Sequence, residues 1–89
     1  MNQYATLACS HWRQNLPSRY AQLSDPETFF TILGEQAVEE IEAMAEALAG
    51  PDPAEETYLQ KVGRLTEARA TAESTVLREM ILLESETDD

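Results

Sequence analysis

Two punctuation signals bracket the stretch Pro26–Ala49 and constrain the fold more than any other feature of the chain. Asp25 is suited to accept the free N–H groups of a helix start, Pro26 fits the first helical position, and Glu27 lies in the first turn, where the helix dipole favours an acid. Ser24 with Glu27 offers an alternative capping box shifted by one residue. Gly50-Pro51 supplies a C-cap glycine followed by a residue that cannot continue the helix. Between these signals Phe29, Phe30, Leu33, Ala37, Val38, Ile41, Met44, Ala45 and Leu48 occupy about half the circumference at roughly 100° per residue. An arc that wide calls for two packing neighbours. Gly34, which costs up to about 1 kcal/mol relative to alanine inside a helix, implies a close crossing with one of them.

The flanking segments supply candidates for both neighbours. Tyr4, Leu7, Ala8, His11, Trp12 and Leu16 recur at helical spacing, which predicts a helix over residues 3–16 that ends because Pro17 disfavours helical geometry in the residue before it. A short turn of helix is expected over 18–23. Asp52-Pro53 repeats the start signal of Asp25-Pro26 and predicts a third helix over 53–83. Its apolar side carries Tyr58, Leu59, Val62, Leu65, Ala72, Val76, Leu77, Met80 and Leu83. Few residues separate it from the second helix, so the two should pack antiparallel. The expected architecture is all-α: a single domain over 1–83, with helices at about 3–16, 26–49 and 53–83. It is a long antiparallel helical hairpin with a shorter N-terminal helix packed across it, a three-helix bundle. Residues 84–89 form an acidic tail expected to fray. Small size and the wide apolar arc favour a homodimer, in which two hairpins would pair into a larger, four-helix bundle.

Charge is distributed very unevenly. From Tyr20 to Gln60 there are ten acids and no Lys, Arg or His, in a chain of net charge −11. Glu35, Glu39, Glu42 and Glu46, spaced four, three and four apart, share one helix face. Like charges at this spacing are mildly unfavourable for the helix, by a few tenths of a kcal/mol per pair. The bland reading is a solvated, solubilising face. The sharper one is a surface for a basic partner, since carboxylates about 5–6 Å apart approximate the repeat of phosphates along a nucleic-acid strand. Small acidic helical inhibitors carried by phages and mobile elements are similar in size and charge, without a shared motif; a chain of that kind would occupy a basic nucleic-acid-binding site on a partner protein.

Other chemistries find little support. Cys9 and His11 lie roughly 200° apart around a helix and cannot share a hydrogen bond there. One cysteine and one histidine fall short of a zinc site, and no Glu-x-x-His pair, calcium loop or phosphate-cradling glycine loop is present. We therefore expect no enzyme, no cofactor and no metal. Trp12, Arg13, Arg19 and Tyr20 form the one mixed aromatic and basic patch, too weakly basic for nucleic acid; they are either packed core with snorkelling arginines or a protein-contact surface. Arg69 falls on the apolar side of the third helix, where it must snorkel or join an ion pair, within the chain or across an interface. No run is long enough to span a bilayer, Met-Asn-Gln-Tyr-Ala lacks the basic and apolar blocks of a signal peptide, and the lone cysteine suits a reducing cytoplasm. The expected function is a non-catalytic adaptor or regulatory subunit that is itself oligomeric and binds protein, neither nucleic acid directly nor membrane. The alternative is the acidic inhibitor, acting on a basic or nucleic-acid-binding partner.

Overall fold

The computed structural model describes residues 1–86. It contains α1 (Gln3–Asn15), α2 (Pro17–Ala21), α3 (Pro26–Ala49) and α4 (Tyr58–Val76), the last running into a π-helical turn, Leu77–Ile81. The chain is predominantly helical, with no strand among the described residues, and its four helices pack against one another. Among the described residues no helix is long and apolar enough to cross a membrane.

The brackets around α3 act as their chemistry requires. Asp25 accepts the Thr28 N–H at 3.2 Å and the Thr28 hydroxyl at 2.7 Å, so Asp25 rather than Ser24 is the cap. At the other end Gly50 has φ 64°, a backbone conformation that glycine adopts without strain, and its N–H closes on the Glu46 carbonyl. The helix has the two expected neighbours, α1 and α4. The crossing with α1 is tight at Gly34: a Cβ built there would lie 2.8 Å from Ala5 Cβ and would overlap the Asn2 side chain. Asn2 is engaged at that spot, capping α1 by accepting the Ala5 N–H at 2.8 Å.

The core is concentrated at one end of the molecule. Tyr4, Ala5, Ala8, Trp12 and Leu16 pack with Phe30, Ala37 and Ile41 of α3, with Ala72 and Val76 of α4, and with Ile81 of the π-turn. Trp12 sits tilted on Phe29 and edge-on to Phe30, while Tyr20 stacks on Phe30. Since α1 is roughly 20 Å long and α3 roughly 36 Å, α1 covers only about half of its partner. Beyond Ile41 the molecule is a two-helix arm. Its dimensions reflect this: 54 × 28 × 16 Å, with a radius of gyration of 16.5 Å where a compact chain of this length would have about 12 Å.

Three boundaries differ from those expected. The last helix starts at Tyr58 rather than Pro53, because Thr57 and Gln60 form a reciprocal capping box and Asp52 is engaged elsewhere. It leaves α-geometry at Val76, and the Leu82 N–H reaches back to the Leu77 carbonyl to close the π-turn. The tail is held at its start: His11 Nε2 donates to the Leu83 carbonyl at 2.6 Å, the Ser85 hydroxyl donates to Asn15, and the Glu86 N–H donates to the Asn15 carbonyl. Glu86 in turn accepts the backbone N–H groups of Ser18 and Arg19 at the start of α2, which holds its carboxyl below the usual range. Residues 84–86 are thus tied down where fraying was expected; residues 87–89 of the expected tail lie outside the described residues.

Candidate interaction surface

On α4 the apolar side divides into a covered half and a bare half. Ala68, Ala72 and Val76 are buried, whereas Tyr58 and Leu59 are each 79% exposed and Val62 and Leu65 each 42%. Tyr58, Val62, Leu65, Ala72 and Val76 share one helix line, so the exposed residues continue the very stripe that is buried further along. The same is true of α3: Leu48 lies on the line of Phe30, Ala37 and Ile41, all fully buried, yet is 52% exposed because α1 ends before reaching it. The sequence pattern marks all these residues as core. Their exposure follows from the shortness of α1: Leu48 opens onto the side of the helix pair that Arg64 and Ala68 line, while on α4 Tyr58, Val62 and Leu65 form a strip of large apolar side chains that no other described residue covers.

Arg69 borders this strip. It is exposed and in no ion pair among the described residues, so in the free chain it takes the snorkelling course. It lines a shallow groove between α3 and α4 with Leu65, Ala45, Ala49, Gly50 and Glu46. The groove thus brings together two of the site residues picked from sequence, Arg69 and Glu46, on opposite walls.

The ion-pair role falls to a different arginine. Arg64 binds Glu56 through Nε at 2.7 Å and Asp52 through Nη2 at 2.7 Å, and its Nη1 donates to the Ala49 carbonyl at the end of α3. Lys61 adds a 2.7 Å bridge to Asp52. Lys61 and Arg64 hold the Asp52 carboxyl below the usual range, Arg64 does the same for Glu56, and the two carboxylates, Glu56 first, raise the guanidinium's already high pKa. The connection between the arm's helices is therefore organised around Arg64. The signal is present in the sequence as Asp52, Glu56 and Arg64, of which the spacing singles out only Asp52, as a helix cap.

The acidic stripe is where the spacing puts it. Glu35, Glu39, Glu42 and Glu46 are all exposed and in no ion pair among the described residues. By helical spacing their line lies roughly 150° around α3 from the buried line. The N-terminal patch, in contrast, does not form as a surface. Trp12 is 6% exposed, and Tyr20 is half-buried against Phe30. Arg19 lies over the Trp12 ring at 5.0 Å, and Arg13 points to solvent on the outer side of α1. Trp12 is thus a core residue and Tyr20 packs half-buried against the core, as amphipathic rings beside large apolar neighbours tend to do.

Cys9 is half-buried and free. Both ring nitrogens of His11 are engaged, Nε2 by Leu83 and Nδ1 by the Asn15 amide, so the imidazole serves to fasten the C-terminal segment. Among the described residues no three His, Cys, Asp or Glu side chains gather in a way that could hold a metal ion. The chain matches no protein-family model, no curated protein and no solved structure.

Proposed function

We propose that this protein is a non-catalytic protein–protein interaction module, an adaptor or regulatory subunit, that works through the bare face of its two-helix arm. The observation that carries this reading is the strip Tyr58, Val62 and Leu65, large apolar side chains exposed in register with a buried stripe, with Leu59 exposed beside them about 100° around the helix. Such surface is unfavourable in water at roughly 25 cal/mol per Å² and marks a contact site. The arrangement we attach to this reading is an antiparallel hairpin of α3 and α4, anchored at one end by α1 in a three-helix bundle and open to a partner at the other. Oligomerisation through that open end would supply the missing third layer.

A second reading rests on a separate observation, the four unpaired glutamates on the outer face of α3. That face suits a basic groove, and in this version the protein inhibits a nucleic-acid-binding partner by occupying its site. One experiment separates the two. Tagged protein is used to capture partners from its native cell extract at low and high salt, with Val62→Glu/Leu65→Glu and Glu35→Lys/Glu39→Lys/Glu42→Lys variants alongside, Glu46 being left intact because it lines the arm's groove. The arm reading predicts capture that survives high salt and is lost in the first variant. Capture that is lost at high salt and in the lysine variant alone would refute it in favour of the acidic face.

A further inference from the structure

We propose that the bare strip of the arm is the contact surface for a second copy of the same chain, packed isologously, with Arg69 of each protomer reaching Glu46 of its partner. This deepens the reading of the arm as the interaction face and rests on it. Two features select this occupant. The first is area. The accessible surface is 6275 Å², about 1000 Å² more than the roughly 5200 Å² of a compact monomer of this mass. A standard interface removes about 800 Å² from each partner, so one such contact would bring the chain back to the surface of an ordinary globular protein.

The second feature is charge. A chain of net charge −11 repels its own copies unless the contact surface differs from the rest of the molecule. Here it does: Tyr58, Leu59, Val62 and Leu65 are neutral, and the groove beside them sets one cation, Arg69, against one anion, Glu46. A two-fold axis needs a surface complementary to itself, and one Arg and one Glu across a groove form such a surface: each meets its opposite when the operator is applied. Glu35 and Glu39 lie further along α3, towards the end covered by α1 and on its outer side, which leaves Glu42, one turn from Glu46, as the acid of the stripe nearest the seam.

Sedimentation equilibrium of the full chain over a range of concentrations tests the proposal, with far-UV circular dichroism to confirm helicity. The wild-type protein should show twice the chain mass of 10.0 kDa. Val62→Glu/Leu65→Glu should be a helical monomer, since both side chains lie outside the buried core cluster of the single chain. Arg69→Glu and Glu46→Arg should each weaken self-association by at least about tenfold, and the two together should recover most of the loss. A monomeric wild type overturns the proposal, as does a dimer indifferent to Val62→Glu/Leu65→Glu or an assembly larger than two. A double variant no tighter than the singles overturns the Arg69–Glu46 register. If the wild type is monomeric while the strip variant still loses an extract partner, the second copy is refuted and the interaction-module reading stands. If it dimerises through the strip but captures nothing, the reverse holds.

Discussion

Replacing Gly34 by alanine sets two effects of opposite sign against each other at the α1–α3 crossing. Helix propensity favours alanine at an interior position by up to about 1 kcal/mol. Packing opposes it. The new Cβ would lie 2.8 Å from Ala5 Cβ and 2.9 Å from the Ala5 nitrogen, where carbon contacts ordinarily settle near 3.5–4.0 Å. Ala5 has no rotamer with which to yield, and its backbone moves only if α1 moves. The remaining relief is to expel the Asn2 side chain, which uncaps α1 at about 0.5–2 kcal/mol. Overpacking of this kind typically costs about 1–3 kcal/mol. The net expectation is a loss of about 1–3 kcal/mol, or on the order of 5–20 °C in Tm for a chain this small. Gly63→Ala is the matched control: nothing lies within 4 Å of its Cβ position, so it should gain up to about 1 kcal/mol. Urea unfolding of both variants at one fixed protein concentration reads the difference. If Gly34→Ala were as stable as the wild type or more so, the close crossing would be wrong. Adding Ala5→Gly should return part of the loss.

Trp12→Ala should destabilise by about 3–5 kcal/mol in the same assay, because the ring is buried among Phe29 and Phe30; a loss below about 1 kcal/mol would restore it to the surface. Thr57→Ala should lose about 0.5–2 kcal/mol and some helicity through the capping box, while Pro53→Ala should leave helicity unchanged; the opposite pattern would put the helix start back at Pro53. Stability should also fall at both ends of the pH scale. Asp25, Asp52, Glu56 and Glu86 have lowered pKa values in the folded state, so they stabilise above about pH 4, and that contribution disappears as pH falls through the folded values. Tyr4 is raised, by burial first and then by its hydrogen bond to Glu73. Its contribution is intact below about pH 10 and is lost above it, a loss that Tyr4→Phe should remove; thermal midpoints across pH would show a flat profile if these contacts were absent.

The elements that sequence reasoning located best were those with two agreeing signals. The limits of α3 were legible because Asp25-Pro26 and Gly50-Pro51 each combine a hydrogen-bonding need with a backbone restriction. Gly34 was legible because an interior glycine is unfavourable unless something approaches closely. Asp52-Pro53 misled because a cap signal is local, whereas the outcome was decided by Arg64 and Lys61, which draw Asp52 into a charge cluster and leave the start to Thr57. The pinned start of the tail was invisible for a similar reason: Glu86 finds its donors at Ser18 and Arg19, far away in sequence. Periodicity marked the apolar sides of both long helices but could not tell covered from bare. That distinction depends on where α1 ends in space, and it turned Tyr58, Leu59, Val62 and Leu65 from expected core into candidate contact surface. For Trp12 and Tyr20, which the sequence left open between packed core and contact surface, burial puts Trp12 in the core and Tyr20 half-buried against it.

The claim that function acts through the arm is tested most directly by side-chain footprinting of the full chain in its native cell extract, compared with purified protein at high dilution. Tyr58, Leu59, Val62 and Leu65 should be labelled freely when dilute and protected in the extract, while Ile32, exposed on the outer side of α3 near Glu35, should label equally in both. Equal labelling of the strip in both samples, or protection at Ile32 alone, would contradict the account and move the working surface to the acidic face.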